Sequence, residues 1–299
     1  MQELKGLPKS MLASDRDIAV ALKPVAMHAN KYTRGSVLVI CDSFDRQGAP
    51  KMAALASESA IAALRCASGY VTIAARRNVL AYAALRSPVY MLKQLTGKLN
   101  QDLDVIDGIR HDSTVVGPGL QDGKQERIFL GKVAEIEARK GNTVVVDAAA
   151  IKIMLEDGIA GRDKMVFTPH SGEFRNAAGI DVSHKDVAAR IDAAGAFVEE
   201  YGGTLVLKGH ETIIASRKKI MVNVAKTPAL ATMGSGDVLC GMIASLAALG
   251  NDPFTSAVAA VRAHSLAGDL LFSRKGMHAI ATDIIDVIPE TLKRFDIVK

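Results

Sequence analysis

The sequence predicts an α/β fold in which a central, mainly parallel sheet lies between two layers of helices. Short β-branched runs alternate with longer Ala-rich stretches, and the runs are apolar at consecutive positions, as in strands covered on both faces. After residue 204 the rhythm changes to three short strands joined by tight turns, which predicts an antiparallel edge. No repeat and no Pro/Gly-rich linker interrupts the chain, which favours one domain.

The predicted elements follow this alternation in order. The runs that read as buried parallel strands lie at 36–40, 71–74, 113–116, 143–146, 165–167 and 204–207. An Ala-rich helix is predicted over about 51–67, and helices from about 236 to 297 complete the chain. Tight turns at Gly209-His210 and Arg217-Lys218 separate the last three strands.

Composition excludes several classes of function. Of 299 residues, 49% are hydrophobic, yet no apolar run approaches the roughly 20 residues that span a bilayer. The N-terminus lacks an apolar signal core, so a cytoplasmic protein without membrane contact is expected. Cys41, Cys66 and Cys240 are odd in number and widely spaced, which argues against disulfides and zinc. A net charge of +5 without a basic tail, and only 4% aromatic residues, argue against nucleic-acid binding.

Polar or glycine-rich turns follow four of the predicted strands. Ligands of open parallel sheets bind at the carboxyl ends of the strands, so these turns are expected to line one cleft. The turns are Gly117-Pro118-Gly119, Asp147, Thr168-Pro169-His170 and Lys208-Gly209.

A fifth turn, Gly234-Ser235-Gly236-Asp237, precedes a long apolar run that predicts a buried helix. Its glycines permit a tight turn close to a ligand, and the free N–H groups of the helix start favour a phosphate. A carboxylate beside a bound phosphate is suited to take the proton from an attacking hydroxyl, which makes Asp237 a candidate general base. The alternative for Asp237 is an ordinary helix N-cap.

Taken together, these segments resemble the ribokinase-like superfamily and, more closely, the ADP/ATP-dependent NAD(P)H-hydrate dehydratase family. The resemblance extends from about residue 31 to 293. It is carried by VGPGL (116–120), VVVDAAA (144–150), FTPHSGEF (167–174), LVLKGHETIIA (205–215), PALATMGSGDVLCGMIASLAALG (228–250) and AVRAHSLAGD (260–269). It implies a three-layer α/β/α sandwich from residue 31 to 299, with residues 1–30 as an N-terminal extension.

The resemblance also implies roles for particular residues. Asp237 corresponds to the catalytic carboxylate and also contacts the substrate, and Glu173 corresponds to an acidic residue that helps to position Mg²⁺ through water. The other substrate contacts implied are Ala49, Gly119 and His170. The nucleotide contacts implied are Lys208, Gly209, His210, Glu211, Thr212, Gly234, Ser235 and Gly236.

Residue chemistry leaves alternatives open at several of these positions. Lys208 is either a phosphate ligand or a solvated lysine before a turn, and His170 is either a substrate donor or a satisfied loop histidine. Glu173 also suits a helix start, where the helix dipole favours any acid. Asp147 is either catalytic or a structural cap, and His264, on an Ala- and Val-rich helix, is predicted to be a core histidine.

The chain departs from the family pattern in three places. Cys41-Asp42-Ser43 stands where Gly-Gly-Ser is usual, and Ala149 replaces the second acid of a pair that begins with Asp147. The string 225–229 reads Ala-Lys-Thr-Pro-Ala in place of a Thr-Gly-Asn-Pro-Gly string. Lost glycines beside a dinucleotide or a nucleotide would alter how closely these ligands approach.

The function that the resemblance implies is nucleotide-dependent dehydration of hydrated NADH and NADPH (NAD(P)HX) by a lyase. ADP or ATP is the co-substrate, Mg²⁺ the cofactor, and a homo-oligomer the expected assembly. Alternatives are a kinase of the same fold acting on a sugar, hydroxymethylpyrimidine or hydroxyethylthiazole, and an inactive nucleotide-binding regulator. Some family members carry an epimerase domain ahead of this one. With about 30 residues before the first strand, the sequence predicts epimerisation by a separate protein.

Overall fold

A computed structural model describes residues 7–41, 49–159 and 162–299, apart from the side chains of residues 49 and 50. The described strands form one nine-stranded sheet in the order β3-β2-β1-β4-β5-β6-β7-β8-β9. The strands are β1 Ser36–Cys41, β2 Tyr70–Arg76, β3 Met91–Leu95, β4 Ser113–Val116, β5 Thr143–Val146, β6 Met165–Phe167, β7 Thr204–Leu207, β8 Glu211–Ser216 and β9 Lys219–Val224.

The sheet is parallel from β3 to β7 and antiparallel at the pairs β7–β8 and β8–β9. The predicted parallel sheet with an antiparallel edge is therefore confirmed. Strand β3 was not predicted, because the residues of Met91–Leu95 are mostly exposed and show no apolar run.

Helices cover both faces of the sheet, as the continuous apolar strands require. The helices are α1 Asp15–Ala21, α2 Ala49–Cys66, α3 Arg77–Arg86, α4 Leu99–Gly108, α5 Lys124–Lys140, α6 Ala149–Glu156, α7 Ser171–Ala178, α8 Val187–Tyr201, α9 Ser235–Ala248, α10 Pro253–Lys275 and α11 Ala281–Leu292. One apolar core lies under α1–α3 and α9–α11, and a second lies on the other face under α4–α8. This is the predicted three-layer α/β/α sandwich.

Helix α9 is fixed against α2 by an unusually close contact. A Cβ atom placed on Gly241 of α9 would lie 2.1 Å from the backbone oxygen of Ser59 in α2, so only glycine permits this approach. The Ser59 hydroxyl also donates a hydrogen bond of 2.8 Å to the backbone oxygen of Asp237. These contacts hold the first turn of α9 at the carboxyl edge of the sheet.

Residues near the N-terminus cover the β9 edge of the sheet. Leu12 pairs with Val222 of β9, and the Ala13 amide donates to the Val222 carbonyl at 3.0 Å. Ile18 is fully buried in the core. The division of the chain at residue 31 stays a prediction. None of the helices described is long and apolar enough to cross a membrane.

Candidate functional site

The predicted turns converge at the carboxyl ends of the central strands. Asp147 follows β5, Thr168 follows β6 and Lys208 follows β7, and these strands are neighbours in the sheet. The N-terminus of α9 reaches the same edge, because a Cβ atom on Gly236 would lie 3.1 Å from the Lys208 Nζ atom. The structure thus brings Gly236 and Lys208 together, as a phosphate site requires.

The turn before α9 has the geometry of an anion-binding loop. Gly234 precedes the helix with φ 86° and ψ −12°, in the left-handed region that favours glycine. The first amides of a 14-residue helix then point toward the sheet edge, where the Lys208 ammonium lies. Helix dipole and ammonium both favour a bound phosphate here.

Asp147 and Lys208 form a buried ion pair at the centre of the site. Lys208 Nζ lies 2.9 Å from Asp147 Oδ1, and the Thr168 hydroxyl lies 2.7 Å from the same oxygen. Burial alone would lower the pKa of Lys208, but the Asp147 carboxylate and other acidic neighbours raise it well above its usual value. Lys208 is therefore a fixed cation and not the solvated lysine of the alternative interpretation.

Asp237 is the buried acid of the site, with 9% of its surface exposed. Burial, and after it the negative charge of Asp147, raise the pKa of Asp237 to about 7, although Lys208 opposes the shift. A carboxyl that titrates near neutral pH is suited to general-base catalysis. Its backbone oxygen accepts from Ser59 of α2, so the residue lies on the α2 side of the α9 turn.

The backbone next to Asp147 is strained. Ala148 has φ 51° and ψ −135°, and it is the one non-glycine residue with positive φ among those described. A Cβ atom on Gly117 would lie 2.0 Å from the Asp147 carbonyl oxygen, so the turn after β4 packs directly on this peptide. Such strain persists where the surroundings over-determine the conformation, and here it lies directly after Asp147.

Arg190 of α8 supports the loop between β7 and β8 through hydrogen bonds. Its guanidinium donates to the carbonyls of Lys208 at 3.4 Å and Glu211 at 3.2 Å, and to the Ser171 hydroxyl at 3.4 Å. Arg190 is 8% exposed, and burial lowers its pKa. No local sequence pattern predicts this role, because Arg190 lies 18 residues before Lys208 in the chain.

A cavity of about 590 Å³ opens on the β8–β9 side of the α9 turn. Its polar residues include most of the predicted nucleotide contacts, while its other walls are largely apolar. The lining residues are His170, Lys208, Gly209, His210, Thr212, Asn223, Ala225, Thr227, Pro228, Leu230, Ala231, Thr232, Ser235, Gly236, Leu239, Val261, His264 and Ser265. The size and composition suit a small organic ligand with a polar end.

His264 is buried, as predicted, but it also faces this cavity. Its Nε2 atom lies 3.3 Å from the Ser235 hydroxyl, and burial, aided by the charge of Lys208, lowers its pKa to about 4. The imidazole is thus neutral at physiological pH. It orients the Ser235 hydroxyl at the start of α9.

His170 and Glu173 form a reciprocal cap at the start of α7. His170 Nδ1 accepts from the amides of Gly172 and Glu173, and Glu173 accepts from the His170 amide at 2.9 Å. Glu173 Oε2 also lies 3.8 Å from Lys208 Nζ. The structural interpretation of both residues therefore holds, and His170 Nε2 lies 3.5 Å from Glu173 Oε1 within the same cap.

The carboxylates near Lys208 have the ligand type that Mg²⁺ prefers. Mg²⁺ commonly uses one or two carboxylates together with substrate phosphates and water. Asp147 and Glu173 supply such oxygens beside the phosphate-binding turn. Within the described ranges, no group of three or more His, Cys, Asp or Glu side chains could hold a metal by itself.

The remaining predicted contacts are more dispersed. Gly119, with φ 78°, packs on Met52 of α2, and so lies with Asp237 on the α2 side of the turn. The His210 side chain is 62% exposed, and the Thr212 hydroxyl donates to the Gly209 carbonyl. Ala49 begins α2, but its side chain lies outside the described residues. Asp42 and Ser43, where the sequence departs from the family pattern, also lie outside the described residues.

Comparison with known proteins identifies the family. The family model described as NAD(P)H-hydrate dehydratase matches residues 37–290. The chain belongs to the NAD(P)H-hydrate dehydratase family. The resemblance inferred from the turns and from the GSGD block is therefore confirmed.

Curated relatives include both long and short members of the NAD(P)H-hydrate dehydratase family. A bifunctional NAD(P)H-hydrate repair enzyme Nnr of Hyperthermus butylicus is 35% identical over 92% of this chain and 52% of its own length. An ADP-dependent (S)-NAD(P)H-hydrate dehydratase of Nitrosopumilus maritimus is 30% identical over 90% of this chain and 92% of its own. The chain thus spans about half the length of the bifunctional relatives that it matches.

Solved structures confirm the ribokinase-like fold of this dehydratase-family chain. A ribokinase-like superfamily protein of Enterococcus faecalis superposes with a TM-score of 0.81 at 23% identity, over 97% of this chain and 98% of its own. The ADP/ATP-dependent NAD(P)H-hydrate dehydratase of Bacillus subtilis, co-crystallised with ATP/Mg²⁺, gives a TM-score of 0.79 at 22% identity, over 95% and 98%.

Proposed function

We propose that this protein is a nucleotide-dependent lyase that dehydrates NAD(P)HX to NAD(P)H, with ADP or ATP as co-substrate. The observation that carries this proposal is a buried Asp237, with its pKa raised to about 7, at the start of a phosphate-binding helix. Membership of the family and the ATP/Mg²⁺ complex of the Bacillus subtilis dehydratase support the choice of substrates.

The proposed site has two sides, divided by the first turn of α9. The nucleotide binds in the cavity on the β8–β9 side, with its phosphates against Gly236 and Lys208. The hydrated nicotinamide binds on the α2 side, near Gly119 and Asp237. Its hydroxyl then lies between the base and the terminal phosphoryl group.

The proposed reaction begins when Asp237 accepts the proton of that hydroxyl. The oxygen attacks the terminal phosphorus, and the bond to the leaving nucleotide breaks, releasing ADP from ATP or AMP from ADP. The Gly234–Asp237 amides and Lys208 stabilise the charge that develops on the phosphoryl oxygens. Asp147 and Glu173 would hold Mg²⁺ directly or through water, and the bound ion would supply positive charge that offsets the charge of the phosphates.

Elimination completes the proposed dehydration. Phosphate is a better leaving group than hydroxide, and the lone pair of the ring nitrogen expels it by breaking the C–O bond. Loss of a proton from the adjacent ring carbon to water then restores the double bond of NAD(P)H. Phosphoryl transfer therefore needs a base, which Asp237 supplies, and a phosphate-binding site, which the α9 turn supplies.

Incubation with hydrated NADH plus ADP or ATP tests the proposal through the return of NADH absorbance. We expect Asp237→Asn to lower turnover by roughly 100-fold or more, because a general base is lost, and to leave ADP affinity nearly unchanged. Asp286→Asn, at an exposed position of α11, is the matched control and should retain full turnover. Near-normal turnover of Asp237→Asn would contradict this mechanism.

The same assay separates the lyase from a small-molecule kinase. A kinase would accumulate a phosphorylated product, and NADH absorbance would not return. Product NADH or NADPH is expected to raise the melting temperature of the lyase by mass action, whereas common sugars and hydroxymethylpyrimidine are not. Stabilisation by a small alcohol alone would favour the kinase.

Several further predictions remain proposals. They are a cytoplasmic location, a homo-oligomer and a requirement for Mg²⁺. The prediction of a separate epimerase protein is not supported by the bifunctional relatives, whose single chains are about twice as long as the region matched here.

A further inference from the structure

Two buried polar side chains in the wall of the cavity make no hydrogen bond within the described residues. Asn223 and Ser265 are each 3% exposed, and both line the cavity. Asn223 Oδ1 and Ser265 Oγ have no partner. Leaving such a group unpaired in a folded protein is unfavourable, so the two oxygens point to a ligand that supplies the missing hydrogen bonds.

The two residues line the cavity from adjacent layers of the fold, one from the sheet and the other from a helix. Asn223 lies on β9, two positions after Met221, which packs against the core on the α10 side of the sheet. Alternate strand residues share a face, so Asn223 faces the same side. Ser265 lies on α10, one turn after Val261, which also lines the cavity. Asn223 therefore lines the cavity from the sheet, and Ser265 lines it from helix α10.

The other walls of the cavity suit a flat aromatic ring. Pro228, Leu230, Leu239 and Val261 are apolar, while Lys208 and Gly236 mark the phosphate end. We propose that Asn223 and Ser265 recognise the adenine base of the nucleotide, which makes them the residues that determine base specificity. This inference rests on the proposed function only in taking an adenine nucleotide as co-substrate.

The chemistry of a carboxamide fits adenine. Asparagine can accept from the 6-amino group and donate to the neighbouring ring nitrogen, a bidentate pair that discriminates between bases. The Asn223 Oδ1 atom has no protein partner, so a bound base can supply one. The Ser265 hydroxyl donates to a further ring nitrogen.

The first test compares two nucleotides on the unaltered protein by calorimetry. The probes are ADP and purine riboside 5′-diphosphate, which lacks only the 6-amino group. We expect ADP to bind roughly 10-fold or more tightly, because the analogue leaves the Asn223 oxygen unpaired. Equal affinity for the two diphosphates would overturn the inference, and this outcome does not depend on how any variant folds.

The second test uses variants with both probes. Asn223→Ala should weaken ADP binding roughly 10-fold or more and bring the ratio of the two affinities close to one. A merely structural role for Asn223 would weaken both probes equally and keep the ratio, which would also overturn the inference. Ser265→Ala should weaken both probes alike, because the ring nitrogen that its hydroxyl meets is common to both.

Ser256→Ala is the matched control for Ser265. It lies on the same helix, is fully buried and bonds the Asp252 carbonyl away from the cavity, so both affinities should persist. These binding measurements contain no hydrated nicotinamide. If the protein discriminates between the two diphosphates but returns no NADH, only the proposed function is contradicted. If it returns NADH but binds both diphosphates equally, only this inference is contradicted.

Discussion

At the scale of single residues, Asp237 links the chemistry of the site to the stability of the fold. Its pKa is raised from 3.8 to about 7 by burial and by Asp147. A raised pKa means that the folded protein holds a proton that the unfolded chain releases. The stability this contributes is full below about pH 4 and is lost as the pH rises through 7. Ionised Asp237 therefore destabilises the protein under the conditions in which the proposed mechanism requires it as a base.

We accordingly expect Asp237→Asn to raise the melting temperature at about pH 8, because the variant carries no buried charge there. The gain should shrink as the pH falls toward 4, where Asp237 is protonated in the native protein. Thermal melts of both proteins across this range provide the measurement, with Asp286→Asn as control. A gain that does not vary with pH would show that the carboxyl of Asp237 is not perturbed.

Ala148 is the second residue at which a local conformation serves the site. Its positive φ costs on the order of 1–3 kcal/mol for a residue with a side chain. We expect Ala148→Gly to raise the free energy of unfolding by about 1 kcal/mol, since the relief of strain exceeds the added freedom of the unfolded chain. Turnover should fall, because Asp147 is held less firmly. Denaturant titration and the NADH assay measure the two effects.

Ala149→Gly is the control for this prediction. Ala149 is the first residue of α6 and has the same intermediate exposure, so glycine there should destabilise the protein slightly. If glycine raises the free energy of unfolding at Ala148 and lowers it at Ala149, the positive φ of Ala148 explains the difference. Loss of stability in Ala148→Gly would disprove the strain.

At the scale of secondary-structure elements, the packing of α9 on α2 sets the position of the phosphate-binding turn. We expect Gly241→Ala to lower the free energy of unfolding by roughly 1–3 kcal/mol, because the new methyl group meets the Ser59 carbonyl. The α9 turn would move with the helix, so ADP affinity should fall as well. Chemical denaturation and calorimetry measure the two quantities.

Gly131→Ala in α5 is the matched substitution. A Cβ atom at Gly131 would have no neighbour within 4 Å, so alanine should stabilise the protein by about 0.5–1 kcal/mol through helix propensity. Its ADP affinity should be unchanged. If both glycine variants behaved alike, helix propensity and not the α2–α9 contact would explain the result.

At the scale of the whole molecule, the two ends of the sheet have different tasks. The carboxyl end carries the site, and the amino end of β4 and β5 carries a buried pair of His111 and Glu137. His111 Nε2 lies 2.9 Å from both Glu137 carboxylate oxygens, and Nδ1 lies 2.8 Å from the Ile109 carbonyl. Both ring nitrogens therefore face oxygen atoms in the protein interior. Burial would raise the pKa of Glu137, but His111 outweighs it and lowers the pKa.

We expect Glu137→Gln to lower the free energy of unfolding by about 3–5 kcal/mol, because it removes the carboxylate from a buried, hydrogen-bonded pair with His111. ADP affinity of the folded variant should stay unchanged, since the pair lies at the opposite end of the sheet. A lowered pKa implies that the stabilisation is present above pH 4.5, the ordinary value for glutamate, and is lost as the pH falls through the folded pKa.

Glu135→Gln, at an exposed position of the same helix, is the control and should change stability little. Denaturation curves and calorimetry at several pH values give both readouts. Equal stabilities of the two glutamine variants would refute a structural role for the pair. A matching loss of ADP affinity would refute the separation of the two ends.

The sequence alone was sufficient for the alternation of strands and helices, the antiparallel edge and the α9 turn. Local pattern specifies these features. Continuous apolar runs require covered strands, and Gly234 permits a positive φ that other residues resist. It was not sufficient for β3, whose residues are exposed and carry no periodic signal.

Only the tertiary structure decided which of the candidate residues act together. Lys208 forms an ion pair with Asp147, although the two residues are far apart in the chain. Asn223 and Ser265 are also distant in sequence, and both line the same cavity. No spacing in the sequence encodes these meetings, because the order of strands in the sheet and the approach of α9 and α10 create them. The pKa of Asp237 depends on the same packing, since burial and the charge of Asp147 set it together.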